Sequence, residues 1–230
     1  MTTKILTTLI PYYQPIVSLY DRSIVSYECL ARFITEDRKM MSPDDLLEQF
    51  TDKHFLNDLF YKSFFATIRE ELHVPVAFNL DVLIINSELI NVLENITLTH
   101  PHLVHYLHFE ITEHNIVRGM GSLPAYVSAL RGLGYKVILD DFGTGGSSIE
   151  CLEHIRFDII KIDGQFLKNS VDSTGRTRLK AIVDLLKYYG TELVAEHIET
   201  EQIARFAQEI GIEYGQGYLF GRPKKKRLEK

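Results

Sequence analysis

The 230-residue sequence lacks several features that would place it quickly in a class. It has no apolar run near the roughly 18 residues of a membrane span, and its short polar N-terminus does not resemble a signal peptide. It has only two cysteines, Cys29 and Cys151, and neither belongs to a zinc-binding spacing, so we expect no structural zinc. One disulfide would be compatible with this count, but a reduced cytoplasmic protein is the simpler interpretation.

The sequence also lacks an excess of positive charge. It contains 25 Lys and Arg against 31 Asp and Glu, for a net charge of −6. Proteins that bind duplex nucleic acid through its phosphates are usually basic, so we expect no such partner. An anionic substrate would need local positive charge, which bound metal ions can supply. The one basic cluster is at 222–230, which we interpret as a solvated tail, with a nucleic-acid or anionic-membrane contact as the alternative.

A recurring unit is present instead: an amphipathic helix, a glycine, a strand and a polar residue. One copy has an apolar helical face within 179–189, then Gly190, an apolar strand over 192–195, and Glu196. The unit recurs around Gly134 and Gly211, and the polar residue follows the glycine after five or six positions each time. Such regular alternation is typical of helices packed around a parallel sheet.

The same reasoning predicts about eight strands, near 12–18, 25–29, 75–80, 106–112, 136–139, 157–162, 192–195 and just before Gln216. Helices are predicted over 44–72 and 81–95. We predict a single α/β domain over approximately 10–222, a TIM-type (β/α)₈ barrel, followed by the basic tail. A doubly wound open sheet is the runner-up, but the sequence has neither a G-x-G-x-x-G motif nor a P-loop to support it.

Each predicted strand ends at a side chain that can bind a metal, a proton or a phosphate: Glu28, Asn79, Glu110, Asp140 with Asp141, Lys161, Glu196 and Gln216. In a barrel the carboxyl ends of the strands meet at one face. Carboxylates gathered there would repel one another unless cations neutralised them, and an all-oxygen donor set selects Mg²⁺ or Mn²⁺. A single acidic strand end is more often a helix cap, so the prediction depends on the coherence of the whole set.

The adjacent pair Asp140-Asp141 suits two metal ions, because one carboxylate can bridge both ions while the other binds the second. Paired ions of this kind serve in-line attack on a phosphodiester. Strand alternation over 107–112 places Glu110 on the barrel interior with His108, and it places the apolar residues against the helices. Lys161, which is flanked by isoleucines, is predicted to be buried and paired with the acidic site.

At these residues the chain resembles the EAL-domain family of cyclic-di-GMP phosphodiesterases. The name-giving motif is present as Glu28-Cys29-Leu30, followed by Arg32, and the most specific segment is Asp140-Asp141-Phe142-Gly143-Thr144-Gly145. The resemblance covers nearly the whole chain, from 13–16 to 216–220. It implies a barrel whose first strand runs against the others, and hydrolysis of cyclic-di-GMP to linear pGpG with two Mg²⁺ or Mn²⁺ ions.

The resemblance also implies residue roles. The first ion would be bound by Glu28, Asn79, Glu110 and Asp140, with Asp140 bridging and Asp141 holding the second ion. Lys161 would position the attacking water and Gln216 would support the water network. Glu196 would be either the general base or a second-metal ligand, and the sequence leaves both open. Glu113 would anchor the loop that begins at Asp140, and substrate would be contacted by Gln14, Leu30 and Arg32, the last through phosphate.

Three positions depart from the family pattern: Cys29 replaces Ala, Gly146 replaces Tyr, and His197 replaces Gly. Cys29 should pack outward. Gly146 predicts a more mobile loop and a weaker second metal site or slower turnover. We interpret His197 as a surface residue, with added pH dependence as the alternative.

No departure removes a predicted ligand. We therefore favour an active phosphodiesterase over a non-catalytic cyclic-di-GMP sensor or protein-binding module, and over a barrel enzyme acting on another phosphate ester. A homodimer is considered as well, and the expected location is the cytoplasm.

Overall fold

The computed structural model describes residues 6–35, 40–42, 53–119, 121–144, 151–170 and 173–225. Gly146, for which a mobile loop was predicted, lies outside the described residues, as does the 44–52 part of the first predicted helix.

The described strands form one sheet that closes on itself. They are β1 (Leu6–Ser18), β2 (Ile24–Thr35), β3 (Met40–Met41), β4 (Val76–Asn79), β5 (Leu107–Thr112), β6 (Lys136–Phe142), β7 (Ile159–Ile162), β8 (Glu192–Ala195) and β9 (Tyr214–Gln216). β1 pairs antiparallel with both β2 and β9, and the remaining neighbours around the ring are parallel. β3 adds to the outer edge of β2. The barrel and its reversed first strand are thus confirmed, and the open sheet is wrong.

Helices follow the strands as the recurring unit predicted. They are α1 (Lys53–Ile68), α2 (Ser87–Thr99), α3 (Glu113–Gly119), α4 (Leu123–Gly132), α5 (Cys151–His154), α6 (Gly164–Lys168), α7 (Ser173–Tyr188) and α8 (Glu201–Glu209), with a 3₁₀ helix at Pro101–His105. The helix predicted over 81–95 begins later, at Ser87, because the Asn86 side chain caps it by accepting from Leu89 N at 3.0 Å. The helix predicted to reach 72 ends at Ile68, where Glu70 N donates to Thr67 O in a turn.

β1 and β2 are much longer than predicted. Their pairing extends from Leu6 opposite Thr35 to Val17 opposite Ile24, whereas β2 pairs with β4 only over Tyr27–Cys29. Beyond Cys29 the pair continues past the barrel as a ribbon, which β3 joins opposite Phe33 and Ile34. Glu28 therefore lies in the middle of its strand rather than at the end, although it does lie where the barrel part of β2 finishes.

Alternation along β5 separates two cores, as predicted. The fully buried Phe109 packs outward, and its ring centroid lies 6.2 Å from those of Phe60 and Phe64 on α1. Burying such a ring is worth about 1.5–3 kcal/mol. The barrel interior has its own apolar layer, formed by Ile16, Ala77, Ile138, Ile159 and Val194. The polar side chains at the strand ends lie on the carboxyl side of this layer.

In the described part of the chain, no helix is long and apolar enough to cross a bilayer. Cys29 and Cys151 are both buried. Beyond β9, Lys224 forms a bridge with Tyr13 of β1, and residues 226–230 lie outside the described residues. The division into one domain and a basic tail stays a prediction.

Candidate metal centre and active site

The predicted site residues converge at the carboxyl end of the barrel. Nine of them line one cavity of about 990 Å³, and apart from the neighbours Asp140 and Asp141 each comes from a different strand or from the residue after a strand: Gln14, Glu28, Asn79, Glu110, Asp140, Asp141, Lys161, Glu196 and Gln216. Parallel strands present their carboxyl ends on the same face, which is why residues far apart in sequence meet here.

Lys161 lies at the centre of this group and is 1% exposed. Its Nζ lies 2.9 Å from Asp140 Oδ1, 3.0 Å from Glu196 Oε1, 3.2 Å from Glu110 Oε2 and 3.4 Å from Glu28 Oε2. One buried cation is therefore shared among four carboxyl groups. If all four are ionised, a single positive charge cannot balance them, and further cations would be needed to complete the balance.

Amide side chains hold Glu28 from the other side. Gln216 Nε2 donates to Glu28 Oε2 at 2.6 Å, and Asn79 Nδ2 donates to Glu28 Oε1 at 3.0 Å. Gln14 accepts from Gln216 at 3.4 Å and itself donates to Gly221 O. This chain of amides fixes the Glu28 carboxylate before any ligand binds.

The carboxyl groups fall into two electrostatic classes. Burial opposes ionisation of Glu28, but Lys161 and the amide donors outweigh it and hold its pKa below the ordinary value. Burial, reinforced by neighbouring carboxylates, raises the pKa values of Glu110 and Glu196 well above the ordinary range despite the attraction of Lys161. An added cation would therefore favour ionisation of Glu110 and Glu196.

Several oxygen atoms in the cluster are available to a metal. Asp140, Asp141 and Glu196 each offer one ligand atom, and these atoms lie within 4.8 Å of one another. Glu110 Oε1 and Glu196 Oε2 are buried and accept no hydrogen bond from any described residue. Burial and the Asp140 charge raise the pKa of Asp141 to about 6. A crowded set of oxygen donors with unused lone pairs fits a hard divalent cation such as Mg²⁺ or Mn²⁺.

An irregularity in β6 lets Asp140 and Asp141 reach the cavity together. Consecutive residues of a regular strand point to opposite faces. The pairing of β6 with β7 shifts register between Leu139 and Phe142, and Asp141 has a left-handed φ of 58°. A bulge of this kind re-aims side chains. The sequence prediction named both residues but had no signal for the bulge that brings them together.

Glu113 is positioned as the predicted anchor of the following loop. Its Oε2 accepts from Gly143 N at 3.1 Å, from Thr144 N at 3.0 Å and from Thr144 Oγ1 at 3.2 Å. Gly143 has a φ of 103°, and an added Cβ would lie 2.6 Å from the Phe166 ring. Only glycine fits this turn without strain.

The predicted substrate contacts lie at the wall of the same cavity, which Gln14, Leu30 and Arg32 line. Arg32 Nη1 donates to Ala31 O, and its guanidinium lies 5.8 Å from the Tyr12 ring centroid. These contacts leave the guanidinium part-buried beside the cavity.

Two further side chains of the wall bear on the sequence interpretation. His197 is 62% exposed, as expected for a surface residue, and its Nδ1 lies 3.6 Å from Asp163 Oδ2. Tyr218, which the prediction did not single out, is half exposed and stacks under Arg222 at 3.9 Å. Arg222 was assigned to the solvated tail, but this contact ties it to the cavity wall. The sequence signal that could have identified Tyr218 was an aromatic residue two positions after Gln216.

Comparison with known proteins gives the family. The EAL domain profile matches residues 4–223. The probable cyclic di-GMP phosphodiesterase PdeB of Escherichia coli K12 is 32% identical over 220 residues, which are 92% of this chain and 42% of that protein. The cyclic di-GMP phosphodiesterase RocR of Pseudomonas aeruginosa is 31% identical over 92% of this chain and 56% of its own length. The chain thus spans about half of these relatives.

The fold comparison agrees. The solved structure described as PaMucR phosphodiesterase in complex with c-di-GMP has a TM-score of 0.83 and 26% identity, covering 94% of this chain and 92% of that one. Its barrel is of the same kind. Since the family profile spans almost the entire sequence, the chain belongs to the EAL domain family.

Proposed function

We propose that this chain hydrolyses cyclic-di-GMP to linear pGpG with the help of two Mg²⁺ or Mn²⁺ ions. The observation that carries the proposal is the convergence of six candidate metal ligands and Lys161 in one cavity at one end of the barrel. The relatives named as cyclic di-GMP phosphodiesterases support the choice of substrate.

The ligand assignment follows from the positions of the oxygen donors. Glu28, Asn79, Glu110 and Asp140 would hold the first ion, and Asp140 would be shared with the second, held by Asp141. The buried, unpartnered Glu110 Oε1 supports this assignment. When bound, the ions would polarise the phosphodiester and lower the pKa of the attacking water.

Three further side chains would act on the attacking water. Lys161, fixed by four carboxyl groups, would orient the attacking water through an N–H donor, and Gln216 would complete the network with its free carbonyl oxygen Oε1. Glu196 would either accept the proton of that water or bind the second ion. Both roles use its buried Oε2, which is why they stay open.

Substrate binding would use the cavity wall. Arg32 would leave its contact with Ala31 O to bind a phosphate, for which its planar fork of donors is suited. Gln14 and Leu30 would contact the substrate beside it. Glu113 would keep the turn at Gly143 closed through its three hydrogen bonds and so hold Asp141 at the cavity.

The direct test is incubation of the purified chain with cyclic-di-GMP and Mg²⁺ or Mn²⁺, followed by chromatography. We expect pGpG to form, and Glu28→Gln to slow its formation by at least about 100-fold, equivalent to about 2.7 kcal/mol of barrier. Glu209→Gln, which removes an exposed carboxylate paired with Arg176, is the matched control and should leave the rate unchanged.

Calorimetry on the same samples separates the alternative. Saturable binding of cyclic-di-GMP without formation of pGpG in the presence of either Mg²⁺ or Mn²⁺ would reject the phosphodiesterase in favour of a non-catalytic sensor. Neither binding nor product would reject both. A cytoplasmic location and a homodimer complete the proposal. Sedimentation velocity would test the dimer.

A further inference from the structure

A second cavity, of about 180 Å³, lies inside the barrel at the end opposite the acidic site. Residues at the beginnings of strands line it, among them Lys136 of β6, Ile159 of β7, Glu192 of β8 and Tyr214 of β9. Lys161 is the one described residue that lines both cavities. The two cavities are therefore distinct spaces within one barrel.

The size and walls of this cavity suit a small ring. The interior of a small barrel is normally filled by layers of side chains, so open space of this volume is unusual. Its inner walls are the apolar side chains of Ile16, Ile138, Ile159 and Val194. An apolar cavity of about 150 Å³ accommodates a benzene molecule. The space is thus large enough for one six-membered ring.

His108 supplies a hydrogen-bonding group to this apolar space. It lines the cavity, is 6% exposed, and its ring makes no hydrogen bond to any other described residue. A neutral imidazole has one N–H donor and one acceptor nitrogen. The imidazole therefore offers one donor and one acceptor to a molecule within the cavity.

The charges around the cavity are already balanced. Lys136 Nζ pairs with Glu192 Oε1 at 2.6 Å near the mouth, and the Lys161 ammonium is bound by the carboxyl groups above. A charged ligand would lose its hydration without gaining a free counter-charge. The electrostatics favour a neutral occupant.

We propose that this cavity binds a neutral single-ring molecule, of the phenol or azole class, that forms a hydrogen bond with His108. The ring would rest against Ile138 and Val194, and its polar group would face the imidazole. Binding here is independent of cyclic-di-GMP hydrolysis at the other end of the barrel.

The test uses 4-fluorophenol as the probe and the full chain in chelator, so that added cyclic-di-GMP is not consumed, and it is observed by ¹⁹F NMR. We expect saturable binding that an excess of cyclic-di-GMP does not displace. Fluorobenzene, which lacks the polar group, and 4-fluorobenzoate, which is charged, should each bind at least tenfold more weakly. No turnover is measured, so the result does not depend on the phosphodiesterase proposal.

Two variants assign the binding to this cavity. His108→Phe should weaken 4-fluorophenol binding at least tenfold, and Val25→Phe, which adds a ring at the half-buried cavity wall, should abolish it. Glu209→Gln should bind like the wild type, and thermal unfolding would show that each variant folds. Absence of saturable binding by the wild type, equal binding by both folded variants, or displacement by cyclic-di-GMP would overturn the proposal.

Discussion

The ammonium of Lys161 lies 2.9 Å from Asp140 Oδ1, and both groups are almost fully buried. Three more carboxyl groups lie within 3.4 Å of the same nitrogen. Lys161 is thus the built-in counter-charge of an acidic cluster, and its own pKa is raised well above the ordinary value because the carboxylates outweigh the effect of burial. This arrangement makes stability and metal binding interdependent.

The first prediction concerns that counter-charge. Lys161→Met should lower the free energy of unfolding by about 3–5 kcal/mol in chelator, because it leaves buried carboxylates without their cation. Urea unfolding would measure the loss. Lys62→Met, which breaks an exposed pair with Asp58, is the control and should change stability by less than about 1 kcal/mol. Equal effects of the two substitutions would show that Lys161 does not stabilise the buried carboxylates.

The second prediction concerns Glu110, because burial and the neighbouring carboxylates raise the pKa of its carboxyl group and so disfavour its ionised form. Glu110→Gln replaces it with a neutral group of the same shape, so stability in chelator should be equal to or greater than that of the wild type. The stabilisation that Mn²⁺ adds to the wild type by binding the folded state should be strongly reduced. Thermal unfolding with and without Mn²⁺ would measure both effects. A variant that Mn²⁺ stabilises as much as the wild type would remove Glu110 from the ligand set.

The third prediction concerns Glu113. Glu113→Ala removes the acceptor of three hydrogen bonds from Gly143 and Thr144, so Asp141 should be held less firmly. Loss of supporting contacts of this kind typically costs 10–100-fold in metal affinity. Titration with Mn²⁺ followed by electron paramagnetic resonance would measure the change. An unchanged affinity in a folded variant would mean that the loop does not position the metal ligand.

The fourth prediction uses two glycines with positive φ. Gly143→Ala should destabilise the protein by more than Gly190→Ala, because an added Cβ at 143 meets the Phe166 ring whereas at 190 it meets open space. The backbone penalty common to both is about 1 kcal/mol. Only Gly143→Ala should also weaken Mn²⁺ binding. Equal destabilisation by the two substitutions would show that the Phe166 ring moves aside with no loss of stability.

Much of the fold was predictable because its signals are local. Apolar runs, terminal glycines and strand alternation depend on neighbouring residues, and they placed β5, β8 and Glu196 correctly. The resemblance to the EAL family added the reversed first strand, which periodicity alone could not reveal. The full length of β2 was missed, because it depends on pairing with β1 rather than on its own sequence.

The site was less accessible to sequence reasoning. The polar strand ends identified which residues meet, since barrel closure makes them converge. The bulge that turns Asp141 inward, the stacking of Arg222 on Tyr218, and the sharing of Lys161 among four carboxyl groups are three-dimensional contacts with no local pattern. The cavity beneath Lys161 was likewise invisible, because a void leaves no trace in a one-dimensional pattern.

Anomalous X-ray scattering from crystals of the chain grown with Mn²⁺ would test the central claim directly. We predict two peaks, one within bonding distance of Glu28, Glu110 and Asp140, and one beside Asp141, with Asp140 in contact with both. No peak in the cluster, or peaks confined to surface carboxylates, would contradict the account.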